Sequence, residues 1–124
     1  MNFLIENFQK FQNQVGNQAK SLIAIGGSSV KPSLWSAMAM WDIIRAEFVQ
    51  SVVSFLDKFH FDGVMIDWQW PGTDDGDSYD REYYIKLLSD LKQAFQPKGY
   101  VLGVTDPGSK DPFDAGIDAV RVAE

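Results

Sequence analysis

The 124-residue sequence contains no cysteine, one histidine and few basic residues. The lack of cysteine excludes a disulfide scaffold, a thiolate zinc site and cysteine-based catalysis. Eleven basic against seventeen acidic side chains give a net charge of −6, which disfavours nucleic-acid binding because such domains normally carry a basic surplus. No apolar run approaches the ~20 residues of a membrane helix, and the amino terminus lacks the charged-then-apolar pattern of a signal peptide. The remaining composition, 45% hydrophobic and 14% aromatic, predicts a folded domain with a packed core.

Helical and strand-like hydrophobic patterns alternate along the chain. The predicted helices cover 4–15, 48–59 and 80–95, with Asp80 as the N-cap of the last, and one further helical turn is predicted within 111–124. The predicted strands cover 21–25, 63–70 and 100–105. Because the connections are long enough for right-handed crossovers, this order predicts one α/β domain over residues 1–124. Its parallel sheet is either doubly wound or part of a barrel.

Three strand ends could carry chemistry, since parallel α/β folds place their working residues at the carboxyl ends of strands. They are the double glycine at 26–27, the stretch 67–70 and the Thr-Asp pair at 105–106. Strand side chains alternate, so Met65, Asp67 and Gln69 are predicted to share one face. Asp67 is either a structural carboxylate satisfied by hydrogen bonds or a functional one.

The tryptophans near these strand ends also allow two interpretations. Trp35, Trp68 and Trp70 either belong to the core or form a platform for sugar rings, whose C–H faces stack on indole. Neither composition nor spacing decides between them.

Residues 61–71, which read Phe-Asp-Gly-Val-Met-Ile-Asp-Trp-Gln-Trp-Pro, resemble the signature strand of the family 18 glycoside hydrolases, the chitinases and chitinase-like lectins. The family pattern is Phe-Asp-Gly-x-Asp-x-Asp-Trp-Glu-Tyr-Pro. Residues 20–27 and 83–100 are similar to the strand before this motif and to the helix and strand start after it. The resemblance implies a partial TIM (β/α)8 barrel with about three parallel strands, the third to the fifth. It also implies that residues 1–124 are a fragment of a family 18 catalytic domain.

The departures from this pattern bear on activity. Gln69 occupies the position of the family's catalytic Glu, and Met65 replaces an earlier Asp of the motif. The Asp that orients the N-acetyl group of the substrate in this family is retained as Asp67. The resemblance further implies substrate binding by a set of six residues: Gly26, Gly27, Asp62, Met65, Trp68 and Trp70. A primary amide has no acid proton near neutral pH, so Gln69 can hydrogen-bond a glycosidic oxygen but cannot protonate it.

The function implied by the resemblance is binding of chitin or N-acetylglucosamine oligomers with little or no hydrolysis, as in the arthropod chitinase-like lectins and growth factors. A weakly active chitinase and a truncated, non-functional segment are the alternatives. No cofactor, metal, nucleic acid or membrane partner is expected, and the acidic stretch 74–77 lacks the spacing of an EF-hand loop. The resemblance implies a secreted protein, and unpaired strand edges predict possible self-association.

Overall fold

A computed structural model of the protein describes residues 2–16 and 19–105. Within these ranges the helices are α1 (Asn2–Val15), α2 (Pro32–Ala39), α3 (Asp42–Phe59) and α4 (Asp80–Phe95), and the strands are β1 (Leu22–Gly26), β2 (Gly63–Asp67) and β3 (Val101–Val104). A 3₁₀ turn, Gln96–Lys98, follows α4. The three strands form one parallel sheet in the order β1-β2-β3, which confirms the predicted α/β architecture. The helical turn predicted within 111–124 lies outside the described residues.

The register of the sheet sets which residues meet across it. Ala24 pairs with Met65, which pairs with Gly103 on the other side, and Gly26 pairs with Asp67. We call the face that carries these residues the inner face. The opposite, outer face carries fully buried side chains such as Val64 and Ile66 and packs against the helices.

The core lies between the outer face and the helices, because the apolar stripes of the helices are turned towards the sheet. The stripe predicted for the last helix is confirmed, since all five members are buried: Tyr84, Leu87, Leu88, Leu91 and Phe95. The helix α3 contributes Val49, Val52 and Leu56. No helix within the described ranges is both long and apolar enough to cross a membrane.

Several predicted boundaries are wrong. The second strand ends at Asp67 rather than at residue 70, and α3 begins at Asp42, six residues before the predicted start. The short helix α2 was not predicted. It begins with Pro32, whose fixed φ suits a first helical position and whose missing N–H costs nothing there. Asp80 is the first residue of α4 rather than its N-cap, which is Tyr79.

Candidate functional site

Asp67 is the last residue of β2, and its carboxylate joins two other predicted strand-end residues. Its Oδ1 accepts hydrogen bonds from Gln69 Nε2 and from Thr105 Oγ1, each at 2.8 Å. All three side chains are half-buried at the carboxyl end of the sheet. The structure therefore brings together Asp67 and Gln69 as the sequence predicted. Their hydrogen bond is made by a neutral amide, which donates but carries no acidic proton.

The double glycine at the end of β1 packs directly beside Asp67. The N–H of Gly27 donates to the Asp67 carbonyl at 2.9 Å. A Cβ on Gly26 would overlap that carbonyl oxygen and lie 2.9 Å from Trp35 Cζ2, and both glycines have positive φ (118° and 101°). A Cβ on Gly27 would lie 4.0 Å from Asp67 Oδ2. Close approach of the two strands thus requires Gly26, whereas glycine is favoured at position 27 by its positive φ rather than by lack of space.

Met65 lies one layer deeper on the inner face and packs on a glycine. A Cβ on Gly103 would lie 2.9 Å from Met65 Cε and 3.0 Å from its Sδ. The thioether fills this space, but it offers Asp67 no charge and only a weak acceptor.

The tryptophan predictions divide between the two interpretations. Trp68 is 1% exposed and Trp35 is 5% exposed, and their rings stack at 5.6 Å with an interplanar angle of 10°. The edge of Tyr84 also packs against Trp68, with ring centroids 5.5 Å apart. Since the Trp68 ring faces the core, the predicted sugar contact by Trp68 is not supported. Burial and the nearby charge of Asp67 raise the pKa of the Tyr84 hydroxyl.

Trp70, in contrast, is half-buried beside the site. The Thr73 hydroxyl donates to its carbonyl at 2.7 Å, and the peptide bond between Gln69 and Trp70 is cis. Trp70 is the tryptophan of the motif that retains exposed surface.

Asp62 lies at the other end of the sheet from Asp67. Its carboxylate accepts the N–H of Ser21 at 2.7 Å, its N–H donates to the Ser21 carbonyl, and its carbonyl accepts the N–H of Val101. Five strand residues at about 3.3 Å each separate Asp62 from Asp67 by roughly 16 Å. The predicted substrate contact of Asp62 is therefore not supported, because this residue instead ties together the starts of all three strands.

Sequence reasoning missed the role of Asp80, which organises the loop after the site. Its side chain is fully buried and accepts hydrogen bonds from Ser36 Oγ (2.6 Å), Gly72 N (2.9 Å) and Asp77 N (3.0 Å). Burial raises the pKa of this carboxyl, although these hydrogen bonds oppose the shift. A Cβ on Gly76 would lie 2.5 Å from Asp80 Oδ2, so the loop closes tightly around the carboxylate.

The surface of the same loop is acidic and is tied to α2. Ser33 donates to Asp75 from its hydroxyl at 2.7 Å and from its N–H at 3.1 Å. This hydroxyl bond is the main cause that lowers the pKa of Asp75. In the part of the chain that the structure describes, no three His, Asp or Glu side chains come together as metal ligands.

The model for "Glycosyl hydrolases family 18" matches residues 2–124. The chain is 34% identical over 110 residues to a chitinase-like mite allergen of Dermatophagoides pteronyssinus, which covers 89% of this chain and 22% of the allergen. It is 38% identical over 78 residues to an endochitinase of Manduca sexta, which covers 61% of this chain and 14% of that protein. It matches the crystal structure of the Ostrinia furnacalis Group IV chitinase in complex with allosamidin with a TM-score of 0.91 and 27% identity. That match covers 96% of this chain and 32% of the other.

These matches confirm the predicted fold, part of a family 18 TIM barrel. The chain spans less than a quarter of these curated relatives and about a third of the solved chain.

Proposed function

Since this chain belongs to glycosyl hydrolase family 18, we propose that it binds chitin or N-acetylglucosamine oligomers at the Asp67 site and hydrolyses them poorly or not at all. The observation that carries this proposal is the 2.8 Å hydrogen bond from the Gln69 amide to Asp67. The resemblance gives the position of Gln69 to the catalytic acid. The amide keeps the contact with Asp67 but supplies no proton to a leaving group.

The chemistry of the site supports binding without cleavage. In the mechanism that the resemblance implies, the acetamido oxygen of the sugar attacks and one carboxylic acid protonates the glycosidic oxygen. Loss of a positioned general acid costs on the order of 10²–10⁴ in rate. Asp67 remains an acceptor for an N–H or O–H of a ligand, and Met65 beneath it supplies no second carboxylate.

The names of the relatives agree with a chitin-derived ligand, since the proteins matched are chitinases or chitinase-like. We extend the proposal to a secreted protein that meets chitin outside the cell, by analogy with the family. We further propose that residues 1–124 form a single segment of a family 18 domain.

Binding is tested by retention of the protein that carries this sequence on insoluble chitin, with cellulose as the matrix control. We expect retention on chitin that is lost in Asp67→Ala. Ser51→Ala is the matched control, because Ser51 is exposed on α3 and its hydroxyl donates to the Glu47 carbonyl one helical turn earlier. Retention no greater than that of serum albumin would overturn the binding proposal. If the protein then also lacked fixed near-UV signals, a non-functional segment would be the better interpretation.

The weakly active chitinase is the second candidate, since Asp67 and the fold around it are present. Release of short oligomers from chitin by the unmodified protein, abolished in Asp67→Ala, would favour it. The double variant Met65→Asp, Gln69→Glu tests the reason proposed for low activity. Hydrolysis should rise by about 10² or more if the missing carboxylates limit it.

Self-association is a separate proposal about the sheet edges. Within residues 2–16 and 19–105, β1 and β3 each pair on one side only. An apolar groove of about 230 Å³ runs beside β1 and is lined by Ile23, Ile25, Phe48 and Phe55 among others. Sedimentation velocity over a hundredfold concentration range should show a dimer or larger species. A concentration-independent monomer would overturn this proposal.

A further inference from the structure

We propose that Thr105 is a positioning residue, which fixes the Asp67 carboxylate so that one of its oxygens is held for a ligand. The identity of this ligand rests on the proposed function, whereas the contact between Thr105 and Asp67 is seen directly in the structure. Thr105 Oγ1 donates to Asp67 Oδ1 at 2.8 Å, across 38 residues of sequence. Thr105 was only a candidate strand-end residue in the sequence.

The backbone of Thr105 is itself held in place, which makes it a suitable anchor. Its N–H donates to the Ile66 carbonyl at 3.2 Å, so the pairing of β3 with β2 continues one residue past the end of β3. The residue before it, Val104, is paired with Ile66 in the sheet register. The hydroxyl is therefore presented from a sheet rather than from a free loop, and sheet positions hold side chains more precisely than loops do.

The two donors on Asp67 converge on the same oxygen. Gln69 and Thr105 both donate to Oδ1, each at 2.8 Å. The other oxygen, Oδ2, lies towards Gly27, at 4.0 Å from where a Cβ of that residue would be. The two donors fix the rotation of the carboxylate through Oδ1, and we assign Oδ2, on the side of Gly27, as the acceptor for a ligand.

The presence of Met65 explains why the Asp67 carboxylate needs a donor in addition to Gln69. The neighbour of Asp67 on the inner face is a thioether packed on Gly103, which donates no hydrogen bond. Gln69 belongs to the segment after β2 and has a flexible side chain with three rotatable bonds. Thr105 is β-branched and restricted at χ1, so its hydroxyl loses less freedom on making the contact. We therefore assign the larger share of the positioning to Thr105.

The experiment measures the affinity of N-acetylchitotriose by titration calorimetry for three variants. Thr105→Val removes the donor and keeps the shape, Thr105→Ser restores the donor, and Ser51→Ala is the control. We expect roughly 10-fold weaker binding for Thr105→Val and near-normal binding for Thr105→Ser and Ser51→Ala. Affinity of Thr105→Val within twofold of the unmodified protein would overturn the proposal.

A double-mutant cycle separates positioning from a general structural effect. In the Asp67→Ala background, Thr105→Val should have no further effect on the free energy of unfolding, because Thr105 acts through Asp67. An unchanged loss in that background would mean that Thr105 acts elsewhere.

A ligand-free readout distinguishes failure of this proposal from failure of the proposed function. The ¹³C signal of the Asp67 carboxyl, observed by NMR after selective labelling, should move in Thr105→Val and return in Thr105→Ser. If the unmodified protein binds no chitin oligomer but this signal responds, the proposed ligand is wrong and the positioning role stands. If the signal does not respond, the positioning role is wrong whatever the protein binds.

Discussion

Replacement of Asp80 by alanine should detach the loop that follows β2 from the rest of the fold. The Asp80 side chain is 0% exposed, and it is the shared acceptor of Ser36 Oγ, Gly72 N and Asp77 N. The two backbone donors belong to the loop, and the hydroxyl belongs to α2. The substitution therefore removes one acceptor that three donors share.

The expected cost follows from these three donors. Each buried donor that loses its acceptor costs about 1–3 kcal/mol. Ser36 loses least, because its single hydroxyl proton can be donated instead to the Pro32 carbonyl, 3.1 Å from Oγ. Gly72 is an exposed residue and the Asp77 N–H also lies 3.3 Å from Ser36 Oγ, so both backbone donors lose only part of this cost, and we expect Asp80→Ala to lower the free energy of unfolding by about 2–3 kcal/mol. Asp80→Asn keeps the shape and one acceptor oxygen, so its cost should be about half as large.

Urea unfolding followed by tryptophan fluorescence measures this free energy. A loss below about 1 kcal/mol for Asp80→Ala would refute the reasoning, since it would mean that the donors find water at little cost. Asp75→Ala is the matched control. Its carboxylate also holds the loop to α2, through Ser33, but it is exposed, so its removal should have a small effect.

The pH dependence of the stability difference between the unmodified protein and Asp80→Asn tests the raised pKa of Asp80. Burial raises the pKa of Asp80 above its ordinary 3.8, so the folded state binds this proton more tightly than the unfolded state does. The contribution of Asp80 to stability is therefore fully present below pH 3.8 and is reduced as the pH rises through the raised pKa. The stability of the unmodified protein relative to Asp80→Asn should increase as the pH falls from 7 towards 4. A difference that is constant or decreases over this range would contradict the assignment.

Three further predictions concern packing, and all can be read from unfolding curves. Gly103→Ala should lower the free energy of unfolding by about 1–3 kcal/mol, because the new Cβ would lie 2.9 Å from Met65 Cε. The loss should be smaller in a Met65→Ala background, and equal losses in the two backgrounds would contradict this contact. Arg45→Ala should cost about 1–3 kcal/mol, since the buried guanidinium donates to the buried Ala39 carbonyl at 2.7 Å, and no measurable loss would refute it. Trp68→Ala should lower the free energy of unfolding by about 3–5 kcal/mol and abolish the near-UV circular dichroism of the stacked Trp35 and Trp68 rings. A retained signal would mean that other aromatic residues produce it.

The sequence predicted those parts of the site that depend on one strand and could not predict those that depend on two. The shared face of Met65 and Asp67 follows from the alternation within β2, and Gln69, two residues after the end of β2, follows from the motif around it. The contact of Thr105 with Asp67 depends on the register between β2 and β3, which alternation along a single strand does not specify. Asp80 was missed for a similar reason. Its position near a helix start suggested a local cap, whereas its partners are Ser36, 44 residues away, and the backbone of the preceding loop.

The burial of Trp68 agrees with the core interpretation, which the alternation of the sequence favours. Alternation along β2 places Asp67 on the inner face, and the same alternation places Trp68 with Val64 and Ile66 on the outer face. The structure confirms that these three are buried, at 1%, 0% and 0% exposure. A ring on the outer face cannot stack on a sugar held beside Asp67 on the inner face. Both motif tryptophans follow the end of β2 at Asp67: Trp68, directly after it, continues the alternation and is buried, whereas Trp70, two residues further on, keeps part of its surface free.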